Sequence, residues 1–128
     1  MNMVKVETIG LEGSALDYVV AKLNPSKYGS VCFDPVTKRV YQTEGLRQIG
    51  VNFSPSTDWK QGGPIIEREK ISVLEAGQFW GARPLQNGIA PIKDSYGKNP
   101  LIAAMRCYVA SKLGDVVEIP EALAKKGV

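Results

Sequence analysis

The feature that most constrains the fold is a helix whose two ends are both marked in the sequence. Asn99 is a favoured N-cap, and Pro100 suits the first helical position, where its missing N–H would be unpaired anyway. Gly114 suits a helix C-cap. Apolar residues between them recur at spacings of three and four, which predicts a largely buried helix over 100–113. The predicted buried face comprises Leu101, Ile102, Ala104, Met105, Tyr108, Val109 and Leu113, and the outer side carries Arg106, Ser111 and Lys112.

A second amphipathic helix is predicted over 14–23, where apolar residues again recur at three and four. Ser14, with Asp17 three residues later, resembles a weak capping box. The dipeptide Asn24-Pro25 ends the run, because proline cannot continue a helix.

Other stretches have the alternating or turn-bounded pattern of β-structure. They predict a first strand at Val4 and Val6, a loose hairpin and loop region over 28–53 with a turn at 34–37, a hairpin over 71–80 around 75–78, a long surface loop over 84–98, an extended segment at Val117 and Ile119, and a short helical turn over 121–125.

These elements predict a single domain over 1–128 of the α+β class. In this interpretation, a small, mainly antiparallel sheet packs against two principal helices at about 14–23 and 100–113. Hydrophobic residues form 44% of the chain, and no apolar run approaches the length of a membrane-spanning helix. With no signal-peptide pattern at the N-terminus, we expect a cytoplasmic protein without membrane contact.

The sequence contains no histidine, which removes the commonest general base and the commonest zinc ligand. Cys32 and Cys107 form no Cys-x-x-Cys motif, and both are interpreted as small buried hydrophobic residues. Metal-dependent nucleases hold their metal ions with acidic residues and a lysine at a fixed spacing, and this sequence lacks that spacing. The residues compared are Asp58, Glu67, Glu69 and Lys70. We therefore expect no metal and no cofactor, and the composition favours a non-enzymatic protein.

The polar segment 54–64 is rich in capping and turn residues. It predicts an ordered loop that leads into a short helix over 64–69, with Pro64 as the first helical residue. Trp59 stands in this loop, where an aromatic side chain either staples the turn against the core or contacts a partner. The candidate interaction segment consists of Thr57, Asp58, Trp59, Lys60, Gln61, Gly62 and Gly63.

Three stretches, Leu11–Lys22, Phe53–Glu69 and Asn99–Gly114, are similar to the phage NinX-like family of small phage and prophage proteins. The resemblance spans nearly the whole chain, and the segments Asn24–Gly50 and Gln86–Lys98 depart from the family pattern. It implies a phage or prophage origin, and it supplies neither a biochemical role nor catalytic residues.

On this basis we expect an accessory protein that binds a host or phage protein. A nucleic-acid-binding module stays open as an alternative, because Trp59 and Trp80 with Arg68 and Arg83 would suit a stacking platform. The net charge of +3 is spread evenly and lacks the footprint of a duplex-DNA binder. A small hydrolase that uses carboxylates and a metal ion is the further alternative.

Overall fold

The computed structural model describes residues 2–24, 29–44, 47–85 and 94–124. Its elements, in chain order, are β1 (Met3–Glu7), a 3-10 turn (Thr8–Gly10), α1 (Gly13–Leu23), β2 (Gly29–Phe33), β3 (Val40–Glu44), β4 (Arg47–Asn52), α2 (Trp59–Glu69), β5 (Ser72–Ala76), β6 (Phe79–Arg83), β7 (Ser95–Gly97), α3 (Pro100–Leu113), β8 (Val116–Pro120) and α4 (Glu121–Ala124).

Helix α3 lies at the centre of the fold and has the ends that the sequence predicts. The Asn99 side chain accepts a hydrogen bond from the N–H of Ile102 at 2.9 Å, and Gly114 closes the helix with φ 85°. α3 contacts α1, α2 and the strands β5, β6 and β7, so most of its surface is covered. Its buried residues are Leu101, Ile102, Ala103, Ala104, Met105, Cys107, Tyr108 and Val109.

Two residues of α3 differ from the prediction. Leu113 is exposed, so the buried face ends before the last turn. Arg106, predicted on the outer side, is half-buried because its guanidinium donates to the carbonyl oxygens of Leu11 at 2.7 Å and Tyr96 at 2.8 Å. Arg106 therefore ties α3 to the residues before α1 and to β7.

The α+β class is confirmed, and the described strands form three small antiparallel sheets rather than one. β1 pairs with β8, β2 and β4 flank β3, and β5 and β7 flank β6. The first sheet joins two distant parts of the chain, with Val4 opposite Ile119. Its inward residues alternate with exposed ones, which confirms both the first strand and the extended segment near Val117.

Both predicted hairpins are confirmed. Between β2 and β3, Asp34 Oδ1 accepts from the N–H of Val36 at 2.8 Å and of Thr37 at 3.4 Å, and these bonds hold the pKa of Asp34 below its usual value. Gly77, at φ 71°, forms the two-residue turn between β5 and β6. The prediction of a long loop over 84–98 was wrong at 95–97, which form β7. Residues 86–93 of this predicted loop lie outside the described residues.

Helix α1 confirms the predicted element but not its capping. The helix begins at Gly13, and its N-cap residue Glu12 makes no side-chain cap hydrogen bond. Asp17 is buried and accepts from the N–H of Ser56, 39 positions away, so it does not cap α1.

The two cysteines also differ from each other. Cys107 is buried, as predicted, and burial raises the pKa of its thiol to about 12. Cys32 on β2 is exposed, so its interpretation as a buried residue was wrong.

Candidate interaction site

The candidate interaction segment is mostly helical. α2 starts at Trp59, five residues before the predicted start at Pro64, so the short helix over 64–69 was wrong in its N-terminal boundary. Asp58 sets the start, because its Oδ1 accepts from the N–H of Lys60 at 3.0 Å. Asp58, a favoured N-cap residue, is thus the signal in the sequence that indicates this helix start.

Pro64 lies inside α2 instead of opening it. Proline has no N–H for the carbonyl of Lys60, four residues earlier, and a residue that precedes proline is normally pushed out of the helical region by its own Cβ. Gly63 precedes Pro64 and has no Cβ, which lets the helix continue through the proline.

Gln61 fastens the start of α2 to the chain that enters it. Its Oε1 accepts from the N–H of Ser54 at 2.6 Å, and its Nε2 donates to the carbonyl of Asn52 at 2.7 Å. One amide side chain thus satisfies a donor and an acceptor of the backbone between β4 and α2. Gln61 therefore stabilises the backbone that enters α2, a role that its position in the predicted loop did not indicate.

Gly62 allows α2 to pack closely against its surroundings. A Cβ at this position would lie 2.5 Å from the carbonyl oxygen of Pro55 and 2.6 Å from Cδ2 of Leu101. Since real Cβ atoms essentially never approach other atoms so closely, only glycine fits here. Gly62 holds the segment against α3 and leaves no room for a ligand at this point.

The buried carboxylate of Asp17 binds the backbone just before the candidate interaction segment. The Asp17 carboxyl accepts from the backbone N–H of Ser56 at 2.9 Å, and both residues are buried. The Ser56 hydroxyl makes no hydrogen bond of normal geometry, but it lies near enough to the carboxyl to favour its charged form. Burial outweighs these contacts and raises the pKa of Asp17 to about 6.

The side chains that the segment presents to solvent are those of Thr57, Trp59 and Lys60. Trp59 is the largest of them and is 57% exposed. An indole that stapled the turn against the core would be mostly covered, so the structure does not favour stapling. The geometry therefore separates the segment into an anchored part at Asp58, Gln61 and Gly62 and an exposed part around Trp59.

The residues of the predicted stacking platform are engaged elsewhere. Arg68 donates to Asn24 Oδ1 at 2.9 Å and pairs with Glu69 at 2.9 Å. Arg83 binds both carboxylate oxygens of Asp94, at 2.9 and 3.1 Å. Trp80 is half-buried and packs against the core.

The described part of the chain brings no metal-ligating set together. Within it, no group of three or more Cys, Asp or Glu side chains is placed to hold a metal ion. Glu69 pairs with Lys112 at 3.1 Å in addition to Arg68, and these partners keep its pKa below the usual value. Across the described ranges, no helix has both the length and the apolar character that crossing a bilayer requires.

One small sheet packs on the buried helix α3, and the other two contact α1. Together with an exposed tryptophan on an anchored helix start, they define a small α+β protein with a candidate contact surface. The chain belongs to the phage protein family described as "Bacteriophage P22, NinX", whose model matches residues 7–112. This match confirms the family resemblance and includes the two segments, 24–50 and 86–98, that depart from the pattern. A comparison with curated proteins finds no match.

Proposed function

We propose that this phage-derived protein is a non-enzymatic accessory protein that binds a host or phage protein through Thr57, Trp59 and Lys60. The single observation that carries the proposal is Trp59, which is 57% exposed on a helix start fixed by side-chain and backbone contacts. Tryptophan is enriched among the residues that dominate binding energy at protein interfaces.

Anchoring of the segment favours binding by an exposed side chain. Association normally costs free energy when loops and side chains become ordered. Here the backbone around Trp59 is already held by Asp58, Gln61 and Gly62, so little backbone order remains to be gained on binding. A rigid, accessible indole is a suitable anchor for a pocket on a partner protein.

Affinity capture from a lysate of phage-infected host cells tests the proposal. The bait variants are Trp59→Ala and, as a matched control, Tyr96→Ala, which removes another exposed aromatic side chain from a different surface. We expect the native chain and Tyr96→Ala to recover the same protein, and Trp59→Ala to recover at least about tenfold less of it. Thermal melts followed by circular dichroism check that both variants remain folded.

Nuclease treatment of the lysate separates the proposal from nucleic-acid binding. A partner that stays bound after treatment and depends on Trp59 supports protein recognition. Capture that disappears with nuclease, or that weakens steeply with salt, would favour the nucleic-acid-binding module instead. Equal recovery by the native chain and Trp59→Ala would contradict the assignment of this surface.

A further inference from the structure

Residues 54–58, called the entry turn, lie between β4 and α2 and are held by two kinds of hydrogen bond. Within the turn, the N–H groups of Thr57 and Asp58 donate to the carbonyl oxygen of Ser54 at 3.1 and 2.9 Å. A third bond leaves the turn, from the N–H of Ser56 to the carboxyl of Asp17 on α1 at 2.9 Å. Among the described residues, this third bond is the hydrogen bond that fastens the entry turn to α1.

The charge of the Asp17 carboxyl has no counter-ion among the described residues. Asp17 is only 6% exposed, and carboxylates this deeply buried are normally paired with a cation. The influences on this carboxyl are burial and its contacts with Ser56. Because a buried charge without a cation is costly, ionisation of Asp17 favours any motion that lets water reach it.

The charged side chains around α1 are engaged elsewhere. Lys22 lies over the Tyr18 ring at 5.7 Å from its centroid, Glu12 pairs with Lys98 at 3.6 Å, and Arg106 donates to two carbonyl oxygens. None of these groups is among the influences on the Asp17 carboxyl. The same holds for the other titratable side chains described on the entry turn and on the elements packed against α1, which are Asp58, Cys32, Tyr41, Cys107, Tyr108, Lys112, Glu118 and Glu121.

The closed entry turn also buries a hydroxyl that lacks a partner. Ser56 is 0% exposed, and its Oγ makes no hydrogen bond of normal geometry. Burial of such a group costs free energy, which is recovered when the turn opens and water binds the hydroxyl. The entry turn is therefore a place where the fold can open locally, without the rest of the core.

We propose that the contact between Asp17 and Ser56 is a proton-dependent latch on the entry turn. While the carboxyl carries a proton it is neutral, and the turn stays closed over it. Once the carboxyl is ionised, opening of the turn hydrates the charge, so the open form becomes more populated. The backbone that leads into α2 is thus held more firmly in mildly acidic solution than at neutral pH.

The size of the effect follows from the two protonation equilibria of Asp17. In the closed turn, burial raises the pKa of Asp17 to about 6. In the open turn the hydrated carboxyl has its ordinary pKa of about 3.9. The equilibrium constant for opening therefore rises about tenfold between pH 5 and pH 7.5, and the rise is nearly complete by about pH 7.

Amide hydrogen exchange of the full chain, resolved by NMR between pH 5 and pH 7.5, tests the latch. Each rate is divided by the intrinsic rate of that amide at the same pH, which gives an equilibrium constant for opening. We expect the constant of the Ser56 amide to rise about tenfold over this range. At each pH it should exceed that of Met105 at least about tenfold, because the fully buried Met105 opens only with the whole fold.

Two variants and one titration separate the latch from other pH effects. Asp17→Asn keeps an acceptor for Ser56 but has no charge to hydrate, so the Ser56 constant should change less than about twofold with pH. Asp34→Asn, which alters another carboxyl bonded to backbone N–H groups, is the matched control and should keep the tenfold rise. In the unmodified chain, the carbon-13 shift of the Asp17 carboxyl should titrate with a midpoint at about pH 6.

Equal opening constants for Ser56 and Met105 would overturn the proposal, because the turn would then open only with the whole fold. A Ser56 constant that does not depend on pH, a full rise in Asp17→Asn, or loss of the rise in Asp34→Asn also overturns it. If Asp17→Asn does not fold, the carboxyl titration decides, since a midpoint below about pH 4.5 contradicts the latch. No partner enters these measurements, so the latch and the proposed binding through Trp59 stand or fall separately.

Discussion

Replacement of Asp17 by asparagine should remove a specific pH dependence of stability. Burial raises the pKa of Asp17 from 3.8 to about 6 in the folded protein, although its carboxyl accepts a hydrogen bond from Ser56. In the unfolded chain the pKa returns to about 3.9. The folded protein therefore holds a proton on Asp17 in a pH range where the unfolded chain has lost it.

The sign and size of the effect follow from this difference. A raised carboxyl pKa gives stability that is fully present below about pH 4 and is lost as the pH rises through about 6. A difference of about two pKa units corresponds to roughly 3 kcal/mol, since each unit is worth about 1.4 kcal/mol. Asp17 is almost completely buried, so screening by solvent reduces this value little.

The assay is urea unfolding of the native chain and Asp17→Asn at several values between pH 4 and pH 8. Asparagine keeps an oxygen that accepts from Ser56 and carries no charge, so the variant should be the more stable protein at pH 8 by about 1–3 kcal/mol. Near pH 4 the two proteins should differ much less. The difference between the two curves cancels the titration of other groups that both proteins share.

Asp34→Asn is the matched control, because the pKa of Asp34 is lowered in the fold by the N–H groups of Val36 and Thr37. Its contribution to stability is present above about pH 4 and is lost only as the pH falls below that value, so Asp34→Asn should be less stable than the native chain by a nearly constant amount from pH 4 to pH 8. A difference between the native chain and Asp17→Asn that stays flat from pH 4 to pH 8, or that grows toward acid, would refute the reasoning.

The remaining predictions concern the central helix, the exposed indole and metal ions. Asn99→Ala should lower the free energy of unfolding by about 1 kcal/mol through loss of the cap, and the fully buried Met105→Ala by about 2–5 kcal/mol; a urea series that reverses this order would contradict the facing of α3. Trp59→Ala should change stability by less than about 0.5 kcal/mol, and acrylamide should quench Trp59 more than the half-buried Trp80, which single-tryptophan variants can measure. Calorimetric titration with zinc, magnesium and manganese should show no stoichiometric binding at micromolar affinity, and such binding would revive the hydrolase alternative.

The sequence predicted those elements whose signals are local. Asn99, Pro100 and Gly114 mark the ends of α3 within a few residues of the backbone groups that they serve, and the structure confirms them. The start of α2 was placed wrongly because proline is favoured at the first helical position and disfavoured in the interior, whereas Pro64 lies inside this helix. Its true signal was the N-cap residue Asp58.

Contacts between residues that are distant in the sequence leave no local pattern from which they could be predicted. Asp17 has the spacing of a local cap, and nothing in the sequence near it indicates a bond to Ser56 in the turn before α2. The need for glycine at position 62 likewise depends on where Pro55 and Leu101 lie in the fold, which the local sequence does not indicate. In the candidate segment, the sequence thus identified an unusual tryptophan, whereas the division into anchored and exposed residues depends on tertiary packing.

The pairing of β1 with β8 affects the order in which the chain folds during synthesis. β1 is synthesised well before the strand opposite it, because Ile119, which faces Val4, follows that residue by 115 positions. Until then, Val4 and Val6 lack the strand beside them and are open to premature association. Closing such a long loop is slow compared with forming a local hairpin. The two-stranded ribbon therefore forms late in folding, and a chain that is truncated before β8 would leave β1 unpaired.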